Sequence, residues 1–163
     1  MGCGHGTLLA AILRANPQLR GVLFDLPSVV EGARSLLETE RVAERCAVVG
    51  GNFFESVPSG GDAYILRIIL HDWDDEHAVT ILKNCHRAME PQRKLLVVER
   101  PIPPGNHPFH GKYTDLNMLV LLKGRERTVA EHRILFEAAG FDLTRTIPIH
   151  PDGQYSIIEG VRA

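Results

Sequence analysis

The stretch AYILRIILHDWDDE, residues 63–76, joins a strand to a helix and decides the fold class of this sequence. Its first eight residues form a nearly continuous apolar run, interrupted by Arg67, as expected for a strand that is covered on both faces. The acidic residues after His71 suit a helix N-terminus, where carboxylates face the positive end of the dipole. The next residues carry one apolar stripe at helical spacing: Ala78, Leu82, Cys85 and Met89. The stretch therefore predicts a buried strand that leads directly into an amphipathic helix.

The same alternation of strands and helices runs along the rest of the chain. Further strands are predicted at residues 21–26, 46–50 and 94–99, and further helices at residues 7–15, 29–38, 113–122 and 129–139. Residues 100–111 hold four prolines and two glycines and are predicted to form a loop. Residues 142–149 and 155–161 flank the turn sequence Pro151-Asp152-Gly153, which predicts a closing hairpin. We therefore expect an α/β fold with a Rossmann-like, mostly parallel sheet and an antiparallel hairpin at its C-terminal end.

Length and composition indicate one globular domain over residues 1–163, with 44% apolar residues. The net charge of −2 and the lack of a basic stripe argue against a nucleic-acid partner. The longest apolar run is too short to span a membrane, and the first residues lack the charged and apolar pattern of a secretory leader, so we do not expect secretion. Three scattered cysteines, Cys3, Cys46 and Cys85, are expected to be free thiols. These features predict a cytoplasmic protein without a membrane segment.

Candidate ligand-binding side chains follow the predicted strands, at the point where each strand ends. Asp25, Asn52, His71 and Glu99 stand at or just after four successive strands. In open α/β sheets, ligands bind beyond the carboxyl ends of the strands. We therefore expect these four side chains to surround one site.

A glycine-rich turn, Gly-Cys-Gly-His-Gly at residues 2–6, precedes the first predicted helix. Gly2, Gly4 and Gly6 would let the backbone approach a ligand closely at the helix N-terminus, although a plain tight turn has the same pattern. Asp25 closes the next strand and is placed to accept hydrogen bonds from ribose hydroxyls. The alternative for Asp25 is a helix cap before Leu26. Together the turn and the acid predict a site for a nucleoside-containing cofactor.

Such a glycine turn should follow a strand, yet only Met1 precedes it. In a doubly wound sheet that strand is central. We therefore expect the first central strand to be missing from this chain, which would leave strand edges unpaired and apolar faces exposed. The sequence predicts a fragment or a start site that lies too late.

Several segments together resemble one known family, the plant-type class of S-adenosylmethionine-dependent O-methyltransferases. The similar segments cover nearly the whole chain: residues 2–6, FDLP at 24–27, GNFF at 51–54, LHDWDDE at 70–76, VE at 98–99 and GRERT at 124–128. Members of this class act on caffeate, flavonoids and acetylserotonin, and bacterial relatives act on polyketides and carotenoids. The resemblance implies the catalytic domain of an enzyme that methylates a hydroxyl of a small, aromatic or polyketide-like acceptor and releases S-adenosylhomocysteine.

The resemblance also implies roles for individual residues. The residues implied to bind the cofactor are Gly2, Gly4 and Gly6 at its methionine end, Asp25 and Leu26 at the ribose, Asn52 and Phe53 at the adenine, and Arg67 nearby. His71 would be the general base, framed by Glu99 and Glu126. Asp72, Trp73 and Met118 would bind the acceptor.

The chain departs from the family pattern at three places. Asn52 stands where the family usually has Asp, and Lys123-Gly124 replaces a pair of glycines. The helical N-terminal domain, which in the family forms the dimer and covers the acceptor, is absent from these residues. The resemblance therefore implies a homodimer for the full-length protein rather than for this chain.

The chemistry explains why a histidine flanked by carboxylates suits methyl transfer. A phenol titrates near pH 10, so it needs a base at neutral pH, and an imidazole with an ordinary pKa of about 6.5 can serve. A carboxylate on the far ring nitrogen would fix the tautomer and stabilise the imidazolium. The structural alternatives are helix capping for His71 or Asp72, a surface or first-turn position for Glu99 and Glu126, and an ion pair for Arg67.

Three other readings remain open. A metal-dependent methyltransferase is suggested by the eight histidines and by Asp72, Asp74 and Asp75, but those acids crowd into one helix start and His107-x-x-His110 lacks a second ligand pair. We therefore predict no metal. A non-catalytic fragment that keeps only the fold is the second alternative. A nicotinamide-binding protein is the third, and the glycine spacing disfavours it.

Overall fold

The structure is a computed structural model that describes residues 1–2, 4–149 and 154–163. The strands are β1 (Gly21–Asp25), β2 (Cys46–Gly50), β3 (Ala63–Arg67), β4 (Lys94–Glu99), β5 (Phe141–Pro148) and β6 (Ser156–Arg162). The helices are α1 (Thr7–Ala15), α2 (Pro27–Val30), α3 (Ala33–Thr39), α4 (Asp75–Ala88), α5 (Gly111–Leu122) and α6 (Val129–Ala138). Short 3-10 turns cover Ala43–Arg45 and Leu70–Asp72. The fold is therefore α/β, as predicted, whereas Cys3 and the predicted turn at 151–153 lie outside the described residues.

The strands form two separate groups. β1 pairs with β2 in parallel, and the other four strands follow the order β3-β4-β6-β5. β3 and β4 are parallel, whereas β6 runs antiparallel to both β4 and β5. The predicted C-terminal antiparallel hairpin is thus confirmed, and the described strands pair in a mixed rather than a mostly parallel pattern. We call the pair β1-β2 the two-stranded sheet and the group β3-β4-β6-β5 the four-stranded sheet.

The apolar residues form two cores, one mainly from each sheet, and Phe24 of β1 packs into the core of the four-stranded sheet. The core of the four-stranded sheet combines strand residues such as Leu66, Leu95 and Ile158 with the apolar stripe of α4 and with Phe136 of α6. The core of the two-stranded sheet is smaller and is centred on Leu23. The ends of two helices on the larger core are fixed by side chains, since Asp74 caps α4 and a capping box opens α6.

β3 ends three residues earlier than the sequence predicts. Ile68 has a φ of 54°, a left-handed conformation that stops the extended run after Arg67. The amides of Ile69 and Leu70 then donate to the Glu99 carboxylate instead of to a neighbouring strand. The helix predicted at residues 29–38 is likewise two helices, α2 and α3, separated at Gly32.

Among the described residues, no strand lies between β1 and β3. Met1 and Gly2 link the two edges: the Met1 amino group donates to the Ile65 carbonyl at 2.8 Å, and the Gly2 amide donates to the Phe24 carbonyl at 3.1 Å. Behind them a groove of about 850 Å³ runs between α1, β1 and β3. The two sheets are therefore separated along most of their facing edges.

Two surface features complete the description. Within the described ranges, no helix has the length and apolar character needed to cross a membrane. α5 exposes a set of large apolar side chains: Tyr113, Leu116, Leu119, Val120, Leu121 and Leu122. This helix follows the proline-rich loop, and its C-terminal end leads into the segment that holds Glu126.

Candidate active site

The glycine turn adopts a backbone that other residues rarely take. Gly2, Gly4 and Gly6 have φ values of 60°, 55° and 92°. A Cβ at Gly2 would overlap Ile69, and one at Gly6 would approach Leu23 to 2.8 Å, whereas a Cβ at Gly4 would meet nothing within 4 Å. A Cβ at Gly2 or Gly6 would thus require Ile69 or Leu23 to move. Gly4 faces open space, which leaves room for a ligand against the backbone.

Asp25 is oriented by the same turn. Its Oδ2 accepts a hydrogen bond from the Gly4 amide at 2.9 Å, and its Oδ1 accepts one from the Leu26 amide at 2.8 Å. Each carboxylate oxygen keeps a further lone pair for a donor such as a ribose hydroxyl. Asp25 does not cap α2, whose N-cap is Leu26 and which has no side-chain cap hydrogen bond. The turn and the carboxylate together fit a nucleoside-containing cofactor.

The loop after β2 is held by its own side chains. The Asn52 Oδ1 accepts from the Phe54 amide at 3.0 Å, and its Nδ2 donates to Glu55 at 3.2 Å. Phe53 and Phe54 make edge-to-face contacts with Trp73, at ring-centroid distances of 6.3 and 4.7 Å. The aromatic cluster of these three rings joins the loop after β2 to the segment after His71.

His71 lies between carboxylates in the 3-10 turn after β3. Its Nδ1 is 3.0 Å from Glu126 Oε1, and its Nε2 is 3.2 Å from Asp72 Oδ1. Glu99 and Glu126 are buried, with exposures of 1% and 5%. The three groups His71, Glu99 and Glu126 each offer one ligand atom within 4.8 Å of the others. The structure thus brings together the predicted base and both predicted framing acids.

Burial and charge shift the titration of these groups in ways that matter for a base. Burial of the His71 ring lowers its pKa, but the Glu126 hydrogen bond and the charges of Glu99, Glu126 and Asp72 outweigh it and raise the pKa above its ordinary value. Burial raises the pKa of Glu99 to about 7, against the opposing effects of His71 and the two backbone amides. Burial also raises the pKa of Asp72. His71 therefore stays protonated to a higher pH than a free imidazole, and Glu99 keeps its proton to near neutrality.

The segment at 124–127 fixes the backbone that carries His71, and the sequence analysis missed this function. Arg127, 1% exposed, donates to the carbonyls of Leu70 and Trp73 at 2.8 Å each and pairs with Asp75. The Arg125 amide donates to the His71 carbonyl at 2.9 Å. Arg127 therefore positions the backbone on both sides of His71, a role that only the three-dimensional contacts reveal.

The departure at Lys123-Gly124 has a structural counterpart. A Cβ at Gly124 would overlap the His71 carbonyl, so this glycine allows the close approach of the two segments. Lys123 ends α5 with a φ of 60°, a conformation in which glycine is favoured. The Asp115 carboxylate of α5 accepts from the Glu126 amide at 2.8 Å, which fixes the start of the acid-bearing segment.

A small cavity of about 40 Å³ adjoins His71. Its lining residues are Ile68, His71, Glu99, Arg100, Thr114, Glu126 and Tyr155. Met118, predicted to line the acceptor site, is half-buried on α5 and does not line this cavity, because Thr114 is the α5 residue that faces it. Arg67 is exposed at the end of β3, and the described part of the chain gives its side chain no hydrogen bond or ion pair.

Comparisons with known proteins place this geometry among methyltransferases. The chain is 52% identical over 148 residues to phenazine O-methyltransferase PhzM of Lysobacter antibioticus. The aligned stretch covers 91% of this chain and 43% of that protein. It is 41% identical to the mitomycin biosynthesis 6-O-methyltransferase of Streptomyces lavendulae, over 100% of this chain and 46% of that protein. The chain thus spans about half the length of these relatives.

Solved structures give the same result. The fold matches LaPhzM with a TM-score of 0.94 at 50% identity, over 100% of this chain and 48% of that one. It matches CalO1, a methyltransferase of calicheamicin biosynthesis described with S-adenosylhomocysteine bound, with a TM-score of 0.89 at 40% identity, over 100% and 47%. It matches NcsB1, described with S-adenosylmethionine and 2-hydroxy-5-methyl naphthoic acid, with a TM-score of 0.90 at 34% identity, over 99% and 47%. The family model of the O-methyltransferase domain matches residues 1–142, and the chain belongs to that family.

Proposed function

We propose that this chain carries the catalytic site for methyl transfer from S-adenosylmethionine to a hydroxyl of a small aromatic or polyketide-like acceptor, with His71 as general base. The observation that carries the proposal is the contact of the His71 Nδ1 with the buried Glu126 carboxylate at 3.0 Å. The similarity to phenazine O-methyltransferase PhzM and to the mitomycin biosynthesis 6-O-methyltransferase supports the same chemistry.

Cofactor binding is assigned to the turn and the two loops at the strand ends. Gly4 would lie against the cofactor's methionine end, Asp25 with Leu26 at the ribose, and Asn52 with Phe53 at the adenine. The open space at Gly4 and the free lone pairs of Asp25 support this assignment. When bound, S-adenosylmethionine supplies a methyl carbon that its sulfonium already activates.

Proton removal is assigned to the Nε2 of His71. With Nδ1–H donated to Glu126, the neutral ring has its acceptor lone pair on Nε2, and Glu126 stabilises the imidazolium that forms. Asp72 contacts Nε2 at 3.2 Å, so an acceptor hydroxyl would take that position from Asp72. Because the His71 pKa is raised, we expect the rate to fall at acid pH from above pH 6.5, where the ring becomes protonated.

Replacement of the base tests the proposal directly. His71→Ala should lower turnover of a phenolic acceptor by about 10²- to 10⁴-fold, the usual value of a positioned base, and leave the affinity for S-adenosylhomocysteine nearly unchanged. His77→Ala is the matched control, since His77 also pairs with an aspartate but lies exposed on α4. An equal loss of turnover and cofactor affinity in His71→Ala would contradict the general-base role.

Two alternatives have distinct outcomes in the same assays. The cluster of His71, Glu99 and Glu126 has the donor types that a divalent cation accepts, so a metal-dependent reaction predicts loss of activity with a strong chelator. We expect activity to survive chelation, because Glu126 already serves His71 and Glu99 keeps its proton to about pH 7. A non-catalytic fragment predicts no heat on calorimetric titration with S-adenosylhomocysteine.

We also propose a homodimer for the full-length protein and a cytoplasmic location. The exposed apolar side chains of α5 support an interface that covers this helix. Sedimentation of this chain beside a longer protein that contains it would test the dimer. Cell fractionation would test the location.

A further inference from the structure

Asn84 is a polar residue buried within α4, beside the apolar stripe of that helix. Its side chain is 2% exposed, and its helix neighbours Ile81 and Cys85 are fully buried. A buried amide is unfavourable unless its polar atoms are hydrogen-bonded. The partners of Asn84 should therefore explain why an amide, rather than another apolar side chain, occupies this position.

Both ends of the Asn84 amide have a hydrogen-bond partner. The Nδ2 donates to the Phe53 carbonyl at 2.7 Å, and the Oδ1 accepts from the Arg87 guanidinium one turn further along α4. A guanidinium can only donate and a carbonyl can only accept, so these two partners allow a single orientation of the amide. Asn84 thus presents a fixed N–H donor to the loop after β2.

The same face of α4 contacts this loop at a second point. His77 precedes Asn84 by about two helical turns, and its ring centroid lies 5.6 Å from that of Phe54. The loop also has internal hydrogen bonds, since the Oδ1 of Asn52 accepts from the Phe54 amide and its carbonyl accepts from the Glu55 amide. The internal bonds fix the shape of the loop, whereas α4 fixes its position.

We infer that Asn84 is a positioning residue for the cofactor, because it holds the Phe53 carbonyl and with it the loop that meets the adenine. This inference rests on the proposed methyl transfer, in which Asn52 and Phe53 bind the adenine. The loop follows β2 of the two-stranded sheet, whereas α4 packs in the core of the four-stranded sheet and begins just after the turn that holds His71. The hydrogen bond therefore ties the adenine site to the element that follows the base.

Replacement of the donor tests the inference. Asn84→Asp keeps the side chain's shape and still accepts from Arg87, but it turns an oxygen toward the Phe53 carbonyl. We expect its affinity for S-adenosylhomocysteine, measured by calorimetric titration, to fall by about 10- to 100-fold. Asn84→Leu also lacks the donor and should show a loss in the same direction, even if the aspartate variant does not fold. Equal affinities in the natural chain and in the folded Asn84 variants would overturn the inference.

A control variant and a kinetic readout separate positioning from a general loss of stability. Cys85→Ala truncates the next, equally buried position of α4 and should bind S-adenosylhomocysteine as the natural chain does. In Asn84→Asp the KM for S-adenosylmethionine should rise by about 10- to 100-fold while kcat stays within about threefold, because the loss lies in cofactor binding. A fall in kcat with an unchanged KM would overturn the inference.

The position of the loop can also be followed without a cofactor. Trp73 is the single tryptophan of the chain, and its ring centroid lies 4.7 Å from that of Phe54, so its fluorescence reports on the loop. Asn84→Asp should shift this emission to the red and speed hydrogen exchange of the Phe54 and Glu55 amides, whereas Cys85→Ala should change neither. Unchanged emission and exchange in Asn84→Asp would overturn the inference. If the natural chain gives no heat with S-adenosylhomocysteine, the proposed function fails, and these two measurements still decide whether Asn84 holds the loop.

Discussion

The two sheets differ in how completely they bury their strands. β4, in the four-stranded sheet, has strand neighbours on both sides, and its Leu95 and Val97 are fully buried. β2, in the two-stranded sheet, is just as apolar in sequence, yet Val48 and Val49 are 39% and 37% exposed. The same residue types are thus buried in one sheet and exposed in the other, because the second has fewer neighbours to cover them.

The predicted base and its acids lie with one sheet, and the predicted cofactor-binding residues lie with the other. His71, Glu99 and Glu126 all belong to the four-stranded sheet and its attached segments, whereas Asp25 ends β1 and Asn52 follows β2 in the two-stranded sheet. The glycine turn lies between them and is tied to both through Met1 and Gly2. We therefore expect the base to be held more rigidly than the cofactor-binding loops, since local stability follows buried contacts.

The largest expected effect is a matched pair of core truncations. Leu66→Ala and Leu23→Ala delete the same side chain from fully buried positions in β3 and β1. Leu66→Ala should lower the free energy of unfolding by about 2–5 kcal/mol in the main urea transition. Leu23→Ala should instead speed local hydrogen exchange in β1 and β2 and change the main transition less. Equal losses in a single transition would mean that both sheets unfold as one unit.

A second, smaller effect should separate the two parts of the site. Asp25→Asn removes a carboxylate charge while keeping the side chain's shape, so the affinity for S-adenosylhomocysteine should fall by about 10- to 100-fold. The His71 pKa, measured by NMR in the free chain, should not change, because the acids that raise it belong to other segments. A change in the His71 pKa on this substitution would show that the two parts are coupled electrostatically.

Replacement of Asp72 should have a smaller effect, which appears in the pH dependence of the rate. Ionised Asp72 helps to raise the His71 pKa, so Asp72→Asn should lower that pKa and move the acid limb of the rate to lower pH. Asp72 is partly exposed, and solvent screening limits the size of this shift. Glu126→Gln should lower the pKa further, because the Glu126 hydrogen bond is the largest effect that raises it. If the acid limb of the pH–rate profile lies at the same pH in both variants as in the natural chain, then His71 is not the group that titrates.

The meeting of His71, Glu99 and Glu126 could be predicted in large part from the sequence. His71 and Glu99 follow adjacent parallel strands, and strand ends of a parallel sheet meet at one edge. The early end of β3 could not be predicted, because it depends on a Glu99 carboxylate thirty residues away in sequence. That Thr114 lines the cavity beside His71 could not be predicted either, since the exposed apolar residues of α5 give no clear sign of which side of the helix faces the site.

The smallest expected effect concerns Asn52, which departs from the family pattern within the less buried part of the molecule. The hydrogen bond from its Nδ2 to Glu55 would become a repulsion between two carboxylates in Asn52→Asp. Because the pair is exposed, the loss in the free energy of unfolding should stay within about 0.5 kcal/mol and shrink further at high salt. Asn52→Asp combined with Glu55→Gln should restore the hydrogen bond with the roles reversed. If Asn52→Asp nevertheless binds S-adenosylhomocysteine more tightly than the natural chain does, then position 52 contacts the cofactor. Its contribution to cofactor binding would then outweigh its contribution to the local turn.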